Sequence, residues 1–194
     1  MVKINLDAFH GTDLKFTGRI LSNNFTESTG DYHWLGDGVY FFIQGNIPPT
    51  PDINAEKWAI AQAWDNSKKL NKYDEYAIVS TKIKVSEETF LDLTTFDGMS
   101  VYCYLRDRYI DKIVTSKKRL KSGGFKDGHI LNDARLNKIL KIDVVKGDFY
   151  VKFADERKNN IEFRIPNITM AAVFNVVDCL DLDEIKIHKT GKIL

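Results

Sequence analysis

Two short blocks near the N-terminus hold the residues best placed to do chemistry. His10-Gly11-Thr12 sets an imidazole and a hydroxyl around a glycine, at the point where an expected strand over residues 2–9 ends and backbone can come close to a ligand. Residues 33–42, His33-Trp34-Leu35-Gly36-Asp37-Gly38-Val39-Tyr40-Phe41-Phe42, open on glycines and run into an aromatic strand. Several familiar chemistries are excluded by spacing. The four histidines, His10, His33, His129 and His188, have no metal-ligand spacing, and Cys103 and Cys179 form no Cys-x-x-Cys pair, so no metal is expected. There is no Gly-x-Ser-x-Gly elbow and no Gly-x-x-x-x-Gly-Lys-Ser/Thr phosphate loop. Gly36-Asp37-Gly38 leads into a strand, not the helix that a Rossmann dinucleotide site requires.

Taken together, the blocks resemble the nicotinamide-binding signature of ADP-ribosyltransferases that share the poly(ADP-ribose) polymerase catalytic fold. In that family His-Gly-Thr or His-Gly-Ser precedes a Gly-x-Gly-[Ile/Val]-Tyr-Phe strand. The interval matches too: Ile20-Leu21-Ser22-Asn23-Asn24-Phe25 stands where the family has Ile-Leu and a Gly-Phe turn, and Asn24 tolerates the positive φ such a turn needs. The family's third signature residue is a glutamate at the start of a late strand. The resemblance places it at Glu162 in Asn160-Ile161-Glu162-Phe163-Arg164-Ile165-Pro166, with Glu156 as the nearby alternative. It implies an α+β fold, an ADP-ribosyltransferase-like split antiparallel β core with flanking helices, and a His10, Tyr40, Glu162 triad.

The resemblance makes NAD+ a substrate, with no resident cofactor. Cleaving the nicotinamide–ribose bond leaves an oxocarbenium-like sugar, as in glycoside hydrolysis, and the cationic nicotinamide is already a competent leaving group. The site must then hold both rings rigidly and place negative charge beside the developing cation. By resemblance, the Gly11 backbone binds the carboxamide, His10 a ribose hydroxyl and Thr12 the adenosine side, while Tyr40 stacks on nicotinamide. Glu162 accepts from the ribose 2′-OH and stabilises the cation. Each residue alone also has a plain structural reading: His10 as a strand cap, Tyr40 as sheet core, Glu162 as an edge-strand surface residue. Their order along the chain is what points to a site.

In arginine-directed relatives a carboxylate or glutamine stands two residues before the catalytic glutamate. Asn160 stands there instead, and an amide cannot act as a base but can align a nucleobase edge. Residues 106–126 carry eight basic side chains against two acidic ones, within a chain of net charge +1. Lys117, Lys118, Arg119 and Lys121 in this stretch suit a phosphate backbone, although a solvated helix face is the commoner origin of so short a charge run. The expected acceptor is nucleic acid, RNA ahead of DNA. A protein acceptor, water (an NAD+ glycohydrolase) and a noncatalytic NAD-binding module remain open. The compact size resembles bacterial and phage-defence mono-ADP-ribosyltransferase toxins, which implies an antitoxin or inhibitor protein as partner.

The elements that must position these residues follow from periodicity. Val2, Ile4, Leu6 and Ala8 alternate, as do Val79, Thr81, Ile83 and Val85, which predicts two half-buried strands. Residues 37–43 read as a buried strand. Helices are expected over residues 54–70, within 99–120 and over 130–140, and closely spaced strands over 142–145, 149–153, 161–165, 170–177 and 184–188. With 194 residues, 43% of them hydrophobic, residues 1–194 are expected to form a single catalytic domain. The absence of a long apolar run or an N-terminal signal pattern predicts a cytoplasmic protein without membrane association.

Overall fold

A computed structural model describes residues 2–30, 33–117, 124–163, 165 and 167–193. In chain order the elements are β1 (Lys3–Asp13), α1 (Thr17–Asn23), β2 (Val39–Ile43), α2 (Pro51–Ala63), a small hairpin of β3 (Trp64–Asp65) and β4 (Leu70–Asn71), and β5 (Glu75–Ser86). They continue with β6 (Phe90–Asp92), α3 (Phe96–Ser116), α4 (Asp127–Leu136), β7 (Val144–Phe149), α5 (Ala154–Lys158), β8 (Ile168–Val173), α6 (Val176–Cys179) and β9 (Lys186–Lys192).

Seven strands form one sheet in the order β6-β7-β8-β2-β1-β5-β9. Every neighbouring pair is antiparallel except β6 with β7. The fold is therefore α+β, as expected. Alternation assigns the two faces. Ala8 of β1, Val39, Phe41 and Ile43 of β2, and Val79, Ile83 and Val85 of β5 pack on one face beneath α1 and α6, with Ile20 and Cys179. On the other face Phe42, Tyr76, Ile78 and Met170 meet α2, and Val145 and Ala172 meet α3 and α4. Interior strand β8 is buried at every position, which explains its apolar composition; its one polar residue, Thr169, donates its hydroxyl to Asp148 at 2.6 Å.

Several expected boundaries move. β1 does not stop at Phe9; it pairs with β5 through Asp13↔Tyr76, so His10-Gly11-Thr12 lies inside a strand. The second helix ends at Ala63 rather than at Leu70, because the chain turns into the β3–β4 hairpin. Its first turn carries Pro51 and Asp52, residues that suit a helix start. Residues 142–145 and 149–153 contribute one strand, β7, rather than two. No strand forms at residues 161–163 or 165; Phe163 is 75% and Ile165 87% exposed, so the alternation there has no sheet to bury it. On α3 the buried stripe is Tyr102, Leu105 and Tyr109, with Val101 one position outside it.

Candidate functional site

The strands carrying the two blocks part where the first block begins and the second ends. β1 and β2 pair at Ala8↔Ile43 and Phe9↔Phe42, and no further rung joins them among the described residues. In place of the next rungs, the His10 Nδ1 donates to the Tyr40 carbonyl at 2.8 Å. A side chain thus closes the backbone of the fork. Edge-on contacts with Phe25 and Phe41, at centroid distances of 5.3 and 5.8 Å, hold the imidazole plane.

This geometry sets the chemistry of His10. A carbonyl only accepts, so Nδ1 carries the proton and, in the neutral ring, Nε2 presents a lone pair. Burial pushes the pKa below the ordinary histidine value, opposed by the bond to Tyr40. His10 is therefore a neutral acceptor near pH 7, suited to a sugar hydroxyl.

The Tyr40 ring projects toward the α2 face, packing among both clusters there. Its hydroxyl is committed at both lone pair and proton: it accepts from the Leu35 N–H at 2.8 Å and donates to the Gly36 carbonyl at 2.8 Å. Desolvation pushes the phenol well above its ordinary pKa, so it stays protonated. Tyr40 therefore stitches the 33–38 segment to β2 while its ring remains available to a cavity. The glycines of that segment answer to packing. Gly36 sits at φ +89, and a Cβ on Gly38 would lie 2.9 Å from the Val173 carbonyl. The Asp37 N–H donates to Asn132 Oδ1 of α4 at 2.9 Å.

A cavity of about 270 Å³ opens at the fork, walled by Gly11, Trp34, Tyr40, Phe42, Trp58 and Met170, with His10, His33, Thr26 and Ser28 supplying polar groups. It is small and ring-lined, the kind of space one planar heterocycle fills. Gly11 is required by helix α2 rather than by the cavity: a Cβ there would lie 2.0 Å from the Ala55 carbonyl oxygen. A second cavity of about 170 Å³ adjoins it, with His10, Thr12, Arg19, Phe25 and Thr26 in its wall. Thus His10, Gly11, Thr12 and Tyr40 converge.

The remaining expected site residues do not line either cavity. Glu162 lies between α5 and β8, its carboxylate 67% exposed and ion-paired with Lys152 at 2.9 Å. On β8, the strand beside β2, the residue that faces the cavity is Met170, paired with Phe42. Glu156 accepts from the Phe153 N–H at 2.6 Å and so caps the start of α5. Asn160 is exposed at φ 52, in the turn after α5. Lys117 ends α3 in the left-handed region, remote in sequence and cavity lining from the fork, and Lys118, Arg119 and Lys121 fall outside the described residues. Among the described residues no group of histidine, cysteine or acidic side chains is placed to hold a metal.

Sequence reasoning missed Trp58, Thr26, Ser28, Met170 and Arg19 as cavity residues. Trp58 reads as helix core, and only its position opposite Phe42, 6.4 Å between ring centroids, shows it as a wall. Arg157 lies over its outer face at 5.1 Å.

The chain is similar to an uncharacterized protein of Methanocaldococcus jannaschii, 28% identical over 174 residues that span 82% of this chain and 74% of the relative. No family model matches the chain, and no solved structure matches it. No helix among the described residues is long and apolar enough to cross a membrane.

Proposed function

We propose that this chain is a mono-ADP-ribosyltransferase that binds NAD+ with the nicotinamide in the fork cavity, cleaves the nicotinamide–ribose bond and passes ADP-ribose to a macromolecular acceptor. The observation that carries the reading is the fork itself. Strands β1 and β2 part immediately after Phe9↔Phe42, and the residues at the opening are those that the nicotinamide-binding signature names. Tyr40 and Trp58 supply ring faces, Gly11 backbone, and His10 an Nε2 acceptor for the adjoining ribose. Thr12, in the wall of the second cavity, lies on the side where the adenosine half extends.

In this reading Glu162 acts from the loop that leads into β8, its carboxylate leaving Lys152 to approach the ribose. Loops that carry catalytic groups on a rigid scaffold commonly close over substrate in this way. The preferred acceptor is nucleic acid, RNA ahead of DNA, on the strength of the basic stretch over residues 106–126. As a toxin or phage-defence effector the protein would meet an antitoxin or inhibitor partner. A second reading, a noncatalytic NAD-binding module, is favoured by one observation: no carboxylate is among the described residues that line the cavity.

Incubation with labelled NAD+ and cell lysate tests both. Label removed by nuclease supports the nucleic-acid acceptor, and label removed by protease supports a protein one. Nicotinamide release without labelled macromolecule indicates a glycohydrolase. Binding of NAD+ with neither product selects the noncatalytic module, and no binding at all rejects the reading.

A further inference from the structure

The two cavities are one trough, because His10, Thr26 and Val39 stand in the wall of both. Among the described residues that line it, a single side chain carries a permanent charge: Arg19, on α1. Its guanidinium donates to the Thr26 hydroxyl, the residue at the junction of the two cavities. Among the described residues the guanidinium's hydrogen-bond partner is that hydroxyl and not a carboxylate, and Arg19 is exposed. The trough thus has an apolar, ring-lined end at Trp58 and Tyr40, a neutral hydrogen-bonding group at His10, and beyond the ring-lined end, in the wall of the second cavity, a cation with no acidic partner among the described residues.

That sequence of environments matches the layout of a dinucleotide, in which a planar base, a ribose and a diphosphate follow in order. A diphosphate carries two negative charges, and the forked guanidinium is the side chain whose geometry meets phosphate oxygens in pairs. On the NAD+ reading of the fork, we propose that Arg19 contacts the diphosphate and sets the preference of the site for the whole dinucleotide over its nicotinamide half. Thr26 is the positioning residue: its hydroxyl accepts from one edge of the guanidinium and leaves the remaining N–H groups to the ligand. Arg19 has no other polar side-chain partner among the described residues, so replacing it leaves no buried group unpaired.

The test measures binding of nicotinamide, ADP-ribose and NAD+ to the unaltered protein, Arg19→Gln and Arg19→Lys, read by quenching of Trp34 and Trp58 fluorescence and by calorimetry. Arg19→Gln is expected to weaken NAD+ and ADP-ribose about tenfold, the scale of one charge-assisted contact at an exposed position, and to leave nicotinamide unchanged. Arg19→Lys should recover part of the loss. The fall in NAD+ affinity with added salt should flatten in Arg19→Gln, because the screened charge is gone. Equal NAD+ affinity in the unaltered protein and Arg19→Gln overturns the assignment while leaving the fork reading intact. A loss shared equally by nicotinamide also overturns it, because that pattern belongs to a damaged fold. Failure of the unaltered protein to bind NAD+ overturns both.

Discussion

Replacing Tyr40 by phenylalanine separates what its ring does from what its hydroxyl does. The hydroxyl makes two hydrogen bonds of 2.8 Å, from the Leu35 N–H and to the Gly36 carbonyl, and both residues are buried. Phenylalanine keeps the ring and strands a buried donor and a buried acceptor, each at a cost of about 1–1.5 kcal/mol. The loss should total about 2–3 kcal/mol. For a chain of 194 residues, an unfolding entropy of about 2.1 cal/mol/K per residue converts that into a fall in Tm of about 5–7 °C. Thermal unfolding followed by circular dichroism reads it, with Tyr150→Phe as the control, since that hydroxyl reaches only the Ile161 carbonyl at 3.4 Å. Nicotinamide affinity should fall far less than in Tyr40→Ala, which removes the stacking surface as well. A Tm within about 1 °C of the unaltered protein would show that the hydroxyl does not hold the 33–38 segment, and the argument would fail.

Three further outcomes follow from the site. Gly11→Ala places a Cβ 2.0 Å from the Ala55 carbonyl; helix α2 must shift, so denaturant unfolding should show a loss of about 2–3 kcal/mol and Trp58 fluorescence should change. Glu162→Gln removes an exposed ion pair worth little stability, so Tm and NAD+ affinity should hold while transfer slows by about 10²-fold or more; full activity in Glu162→Gln with loss in Glu156→Gln would move the catalytic carboxylate. His10 has a pKa lowered by burial, so the unfolded chain binds its proton first on acidification. Its contribution is whole above the ordinary value of about 6.5 and declines as pH falls from there toward the folded pKa. Denaturation midpoints between pH 7.5 and pH 5 should fall more steeply in the unaltered protein than in His10→Asn, and parallel profiles would contradict the burial argument.

The residues of the fork were legible in the sequence because local chemistry and fold agree there. Two glycines flank Asp37, and Gly36 needs its positive φ while Gly38 must lie against β8, so the block reads the same from either side. The apolar run at residues 170–177 was legible as a strand only in part: β8 spans Ile168–Val173, and Asn175 instead caps α6 at Val176–Cys179. Glu162 was less so. Period-2 alternation in residues 161–165 predicts a strand, but alternation is only a claim on a neighbouring strand, and β8, starting at Ile168, already pairs with both β2 and β7. Two sheet edges satisfied on the central strand leave the preceding residues without a partner. Arg19 was illegible for the opposite reason: nothing in Thr17-Gly18-Arg19-Ile20 marks it locally, and its place depends on Thr26 and β2, which approach only in the folded chain.

The His10–Tyr40 bond ties these levels together. Strand pairing between β1 and β2 could have continued, as β1 continues with β5 for every residue from Lys3 to Asp13. Instead the sequence puts an imidazole where its Nδ1 satisfies the carbonyl that the lost rung would have left unpaired. Opening a sheet normally exposes backbone groups at a cost of about 1–3 kcal/mol for each one left buried and unpaired. Here one side chain offsets part of that cost and stands in the wall of the space that opens. Any substitute for His10 has to do both. Asparagine can donate to the carbonyl but is shorter, and glutamine loses the edge-on packing against Phe25 and Phe41. Stability and ligand affinity at this position are therefore coupled, and a variant that restores one without the other would show that the fork is held open by something other than His10.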